Sequence, residues 1–276
     1  MLTNNFIVEW IVPAVGLLLL GSVSGVLAGL LGVGGGIVIV PVLIIVAQIY
    51  GVDADVAMLV VVGTSLATII PTSISSARAH SKRDAIDWDI IRGWLPAVVL
   101  GALIGGLVSK FVGSSGLKLV FGVVALLVSL NLALPKTLVF ASSPPKTWIC
   151  KAIGAFPIGI ISALMGIGGG TISVPVMATM SIPVHRAVGT ASVFGLGIAL
   201  PAVAGFIWTG MNVAGRPPGS FGFVNLPAAL LLSPTSILLA PVGASLAHSM
   251  SPHRLKLAFA VFLAISALRM LWSVSV

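Results

Sequence analysis

"GLLGVGGGIVIVPVL", residues 29–43, sets glycines and a proline inside a run that is otherwise as apolar as a membrane span. "ALMGIGGGTISVPVM", residues 163–177, repeats the pattern. Glycine weakens a helix, and hydrocarbon offers no partner for an exposed amide. Two matched breaks in two apolar runs therefore decide how the chain is organised.

Working outward from them, Gly25–Leu43 aligns with Gly159–Met177. Downstream, "VGTS" at Val62–Ser65 resembles "VGTAS" at Val188–Ser192, and Pro71 falls near the place of Pro201. Late in each half, "LKLVFGV" from Leu117 pairs with "LKLAFAV" from Leu255. The order is the same and the spacing nearly so. The chain reads as a duplicated unit, with a first transmembrane repeat over 1–140 and a second over 141–276.

Composition fixes the solvent. Of 276 residues 58% are hydrophobic and only 7% charged, against about 25% charged in a soluble domain. Such a chain cannot coat itself in polar side chains, so it is an integral membrane protein. Its 14 Lys and Arg against 6 Asp and Glu lie in short loops between apolar runs and mark a membrane face, with no nucleic-acid partner implied. The single cysteine, Cys150, excludes an internal disulfide. "MLTNNFIVEW" has no basic residue ahead of the first apolar run, so that run reads as a retained span.

The expected pieces are 10–31, 36–50, 55–78, 91–110, 116–134, then 148–166, 170–182, 186–208, 226–249 and 253–273. Treating the glycine segments as re-entrant dips gives eight crossings, and letting the chain cross at them gives ten. Ten crossings put Arg78, Lys82, Arg83, Arg92, Lys136, Lys146, Lys151, Arg186, Arg254 and Lys256 on one side. Lys110, Lys118, Arg216 and Arg269 fall on the other, a split of ten to four; eight crossings give nine to five. The positive-inside rule favours the larger bias and places both termini outside. Five spans per repeat is an odd number, so the second repeat enters upside down. The expectation is an all-α integral membrane protein of two inverted five-span repeats with short, glycine-initiated helices, a recurring plan of secondary transporters.

Residues 36–50 reach only about 22 Å as a helix, short of about 30 Å of hydrocarbon. A chain that unwinds at "GVGGG" and restarts near Gly36 presents unpaired amides at the positive end of a helix dipole, a ready anion site. The second copy restarts near Gly170 and adds the hydroxyls of Thr171 and Ser173. Candidate substrate contacts are therefore Gly34, Gly35, Gly36, Gly168, Gly169, Gly170, Thr171 and Ser173, with Ser65, Thr190 and Ser192 from the "GTS" segments. The competing reading is that the glycines only let helices pack closely. Neither loop is followed by Lys-Ser/Thr or spaced as GxGxxG, so nucleotide readings fail.

At these residues the chain resembles the sulfite exporter TauE/SafE (TSUP) family over nearly its whole length. The resemblance rests on the duplicated "GxGGGxxxVPV", on "GTSLATIIPTSISS" after the first copy and on "RAHSKRDAIDW" at Arg78–Trp88. Val56–Val62 is a few residues longer than its partner near Ala187. The resemblance implies transport, by export, of sulfur-containing anions such as sulfite, sulfonates or sulfoacetate across a bacterial inner membrane.

Ser65, Thr68, Thr72, Ser76 and His80 recur at helical spacing, so one face of the third span is polar. It either lines a path or bonds its own helix carbonyls. Arg78, His80 and Arg83 cluster at the expected cytoplasmic mouth, as gating or anion-recruiting groups or as orientation signals. Glu9, Asp53, Asp55, Asp84, Asp87 and Asp89 all fall in loops or at span ends, leaving no mid-span proton relay.

A membrane-embedded enzyme would need an acid-base or metal constellation, and His80, His185, His248 and His253 are scattered. The expectation is no enzyme and no cofactor. Partners are a small anion and membrane lipid, and a homodimer is left open. The closest rival is a carrier or channel for another small anion.

Overall fold

The computed structural model describes residues 12–32, 34–133, 147–249 and 252–275. The expected boundary between repeats at 140 and 141, and Glu9, Lys136 and Lys146, lie outside the described residues.

Among the described residues the first half contributes α1 (Val12–Leu31), α2 (Gly36–Ile49), α3 (Ala54–Ser81) and α4 (Trp88–Ala133). The second contributes α5 (Trp148–Met165), α6 (Gly170–Thr179), α7 (Val184–Gly210), α8 (Leu226–Ser249) and α9 (Pro252–Ser275). A small antiparallel pair, β1 (Ser220–Phe221) and β2 (Val224–Asn225), precedes α8. Five helices, α1, α3, α4, α7 and α8, are long and apolar enough to cross a membrane. The protein is an all-α, multi-pass membrane protein.

A straight helix of α4's 46 residues would run about 69 Å, more than twice the hydrocarbon thickness. It is broken at Gly113, where φ is 70° and ψ 174°. The two limbs, 88–112 and 114–133, correspond to the separate pieces expected from the sequence. A left-handed φ is what an L side chain resists, so glycine marks the bend.

Hydrophobicity does not sort inside from outside here, because lipid is as apolar as the core. Large apolar side chains such as Leu230, Leu238 and Trp208 face outward, whereas small and hydroxyl-bearing residues meet between helices. On α1, side chains at Gly21, Gly25 and Gly29 would strike the backbone of Leu232, Ser236 and Ala240 on α8, so those two helices run parallel and nearly in contact. Gly159 of α5 is held in the same way against the Val98 carbonyl of α4.

These contacts correspond between halves. Gly25 pairs with Gly159 in the repeat alignment, and Ser236 lies as far beyond Asn225 as Val98 lies beyond Asp87. Asn225 and Asp87 are themselves matched. The Asn225 N–H donates to Thr64 Oγ1 at 2.9 Å, and the Asp87 N–H donates to Thr190 Oγ1 at 2.9 Å. Asn225 Oδ1 accepts from the Ala228 N–H at 3.0 Å, and Asp87 Oδ1 from the Ile90 N–H at 3.2 Å. Each is the capping side chain of the helix it precedes, satisfying an amide that has no acceptor within the helix. The halves are interleaved rather than side by side, with α1 seated on α8 and α4 on α5 and α7.

Candidate functional site: the junction of the glycine turns

The first glycine segment is a turn between α1 and α2, and the second a turn between α5 and α6. Gly34 and Gly35 have φ of 73° and 79°, values natural to glycine and strained for most other residues. They fold the chain back, so that Gly35 lies against Ser24 of α1. In the second turn Gly166 ends α5 in the left-handed conformation, with φ 68°, a common helix stop. Gly168 and Gly169 follow, both buried.

The two turns touch each other. A side chain at Gly36 would strike the Gly166 carbonyl, and one at Gly170 would come within 2.6 Å of the Gly32 carbonyl. Gly36 pairs with Gly170 in the repeat alignment, and Gly32 with Gly166. Ser65 of α3 reaches the same place, its hydroxyl donating to the Gly166 carbonyl at 2.7 Å. Gly34 packs against Ile69 and Ser73 of α3, while Gly169 packs against Phe194 of α7. The junction is thus enclosed by both turns, α3 and α7.

Two helix N-termini start there. In α2 the Gly35 carbonyl accepts from the Val38 and Ile39 amides at 3.1 and 3.3 Å, and in α6 the Gly169 carbonyl accepts from Ser173 at 2.9 Å. The amides ahead of these, at Gly36, Ile37, Gly170 and Thr171, precede any acceptor in their own helix and carry the positive end of its dipole.

Buried side-chain donors gather around them without partners. The hydroxyls of Ser24, Ser73, Ser162 and Thr171 and the indole N–H of Trp94 are buried and make no hydrogen bond. Ser24 abuts Gly35, and Ser73 lies 3.4 Å from a Cβ position at Gly34. Ser162 is in the last turn of α5 and Thr171 in the first of α6. Trp94 stacks on Phe194, with centroids 6.2 Å apart and planes 7° from parallel. A buried hydroxyl left unpaired costs about 1–3 kcal/mol, and Ser24, Ser73 and Thr171 lie beside the two helix N-termini.

The expected residues divide. Gly36, Gly170 and Ser65 come together where the turns touch, with Gly34, Gly35, Gly168, Gly169 and Thr171 in the adjoining residues. Ser173 donates its hydroxyl back to the Gly169 carbonyl, and Ser192 donates to Gly189 at 2.6 Å. Thr190 is engaged with the start of α4. Ser24, Ser73, Ser162 and Trp94 are not among the expected contacts. Their only sequence signal is a polar group in an apolar helix near a glycine turn, which does not say where it points.

The polar face of α3 bonds partly to its own carbonyls and partly to α1 and α8. Thr68 donates to Thr64 at 3.1 Å, and Thr72 donates to Thr68 at 2.8 Å while lying 3.0 Å from Ser236 Oγ. Ser76 reaches the Ala28 carbonyl at 3.5 Å, and His80 Nε2 lies 2.9 Å from the Gly29 carbonyl. His80 is therefore buried against α1. Arg78 and Arg83 instead join Lys82 around a cavity of ≈ 740 Å³.

Comparison with known proteins finds membrane transporters. The family described as sulfite exporter TauE/SafE matches residues 17–270. A probable membrane transporter protein of Haemophilus influenzae is 34% identical over 92% of this chain and 96% of its own length. One from Methanocaldococcus jannaschii is 29% identical over 92% and 94%. Another, YunE of Bacillus subtilis, is 34% identical over 63% and 71%. No solved structure matches the chain.

Proposed function

We propose, on the premise that the chain belongs to the sulfite exporter TauE/SafE family of membrane transporters, that it exports small sulfur-containing oxyanions across a bacterial inner membrane. Sulfite, sulfonates of net negative charge and sulfoacetate are the substrate class, and the junction of the two glycine turns is where they bind. The chain is a transporter and not an enzyme.

The observation that carries the site is the meeting of two buried helix N-termini with hydroxyls that have no partner. Backbone amides, Ser24, Ser73 and Thr171 supply donors suited to tetrahedral or pyramidal oxyanions. The junction residues named above are uncharged, so the anion is held by dipoles and hydrogen bonds alone. That suits a carrier, which must release what it binds.

The matched contacts of Gly25 with Ser236 and of Gly159 with Val98 support two inverted repeats around a pseudo-twofold axis at the junction. In such a plan, rocking one repeat against the other exposes a central site to each membrane face in turn. The end of α3 bearing Arg78 and Arg83 is then the cytoplasmic one.

The test is a stability screen of the detergent-purified protein against sulfite, thiosulfate, sulfoacetate, sulfate and taurine, since ligand binding raises the unfolding temperature. Stabilisation by sulfite or sulfoacetate, and none by zwitterionic taurine, supports the reading. Stabilisation by taurine alone, or by none of the five, overturns it.

A further inference from the structure

The cavity of ≈ 740 Å³ beside α3 is amphipathic along its length. At one end are Arg78, Lys82 and Arg83. Among the described residues the ion pairs are Arg92 with Asp89 and Arg186 with Asp87, so none of these three cations has a carboxylate partner. Away from them the lining is apolar, from Pro71 and Ile74 on α3 and Ile237 on α8, and Pro241 of α8 completes it. The Ser75 hydroxyl ties the two helices by donating to the Ile237 carbonyl at 2.9 Å.

The cavity faces away from the glycine junction. Pro71, Ser75, Arg78 and Lys82 follow at helical spacing on one face of α3. Ile69 and Ser73, which pack against Gly34, lie on the opposite face. The helix itself therefore stands between the cations and the proposed transport site. On the outer side, Pro241 is exposed next to Leu238 and Val242, which belong to the lipid-facing surface.

From this arrangement we propose that the cavity is a binding site for an anionic phospholipid. The phosphate lies on the Arg78 and Arg83 guanidinium groups with Lys82 beside them, and an acyl chain runs down over Ile74, Pro71 and Ile237. Lys82 to Pro71 spans about 16 Å along a helix, close to the roughly 15 Å of one hydrocarbon leaflet. Guanidinium groups match phosphate oxygens in bidentate fashion, and basic pockets between helices at a membrane face are suited to such headgroups. A free oxyanion shares the headgroup's chemistry but leaves the apolar half of the cavity unfilled.

The test uses the full chain in a neutral detergent. Thermal unfolding is followed with added phosphatidylglycerol, phosphatidylcholine, sodium phosphate or sodium sulfite, and native mass spectrometry counts retained lipid. Phosphatidylglycerol should raise the melting temperature by several degrees with one lipid retained, and phosphatidylcholine should not. The shift should vanish in the triple variant Arg78→Gln, Lys82→Gln, Arg83→Gln and survive in Lys110→Gln, Lys118→Gln. If the triple variant does not fold, Lys82→Gln alone should reduce lipid retention. Equal stabilisation by phosphatidylcholine, or a phosphatidylglycerol effect indifferent to these substitutions, overturns the proposal. So does inorganic phosphate or sulfite reproducing the shift in wild type and losing it in the variant, because the cavity would then hold a free anion. None of these outcomes depends on what the glycine junction binds.

Discussion

The Ser65 hydroxyl donates a 2.7 Å hydrogen bond to the carbonyl of Gly166, a residue 101 positions away in the other half of the chain. It is a direct polar tie between α3 and the second glycine turn, and it lies beside Gly36 of the first. Replacing Ser65 with alanine leaves a buried carbonyl without its donor, at a cost of about 1 kcal/mol. Ser192→Ala is the control, since that hydroxyl serves only its own helix. Thermal unfolding in detergent should show Ser65→Ala lowering the midpoint and Ser192→Ala leaving it nearly unchanged.

Gly36→Ala and Gly170→Ala should behave alike. Each added methyl meets a carbonyl of the opposite turn, and overpacking of a filled core costs about 1–3 kcal/mol. Gly154→Ala, in α5 with open space around it, should be neutral or gain up to about 1 kcal/mol in helix propensity. The comparison reads the closeness of the turns from three melting curves. A harmless Gly36→Ala would mean the turns stand apart.

Thr64 and Thr190 each accept one amide of a capping residue, Asn225 and Asp87 respectively. Thr64→Val and Thr190→Val keep shape and remove the acceptor, so each should lose about 1 kcal/mol. Comparable losses are the expected result. A loss at one position only would show that the matching contacts are unequal in energy.

Asp87 both caps α4 and lies 3.8 Å from Arg186, in a pair that is partly exposed. Its matched residue is Asn225, which caps α8 with an amide oxygen. Asp87→Asn should therefore retain most of the stability, whereas Asp87→Ala should lose about 1 kcal/mol. An ion pair of this exposure contributes little. A large loss in Asp87→Asn would assign the effect to the charge instead.

Much of the helix layout was legible because apolar length and glycine punctuation are local. The piece expected over 36–50 is α2, Gly36–Ile49, and that over 226–249 is α8 to the residue. The break in α4 was legible too, because Lys110 and the "GSSG" of 113–116 interrupt the apolar run where Gly113 turns left-handed. Side-chain direction was not legible. A helix apolar all round carries no stripe to fix its rotation, so Ser24 could not be aimed at the junction, nor Thr190 away from it. Asp87 and Asn225 went unmatched because one is charged and the other is not, although both serve as caps. His80 shares the helical spacing of Ser65, Thr68, Thr72 and Ser76, and its burial against Gly29 follows from that face meeting α1.

The hydroxyls without partners give the most direct test of the anion site. Thr171→Val removes a buried oxygen that bonds nothing, so the unliganded protein should unfold at the same temperature or a higher one. The same substitution removes a donor at the α6 N-terminus. Calorimetric titration of wild type and Thr171→Val with sulfite and sulfoacetate should show affinity at least tenfold weaker in the variant, with stability preserved. Unchanged affinity in a stable Thr171→Val protein would contradict binding at the glycine junction.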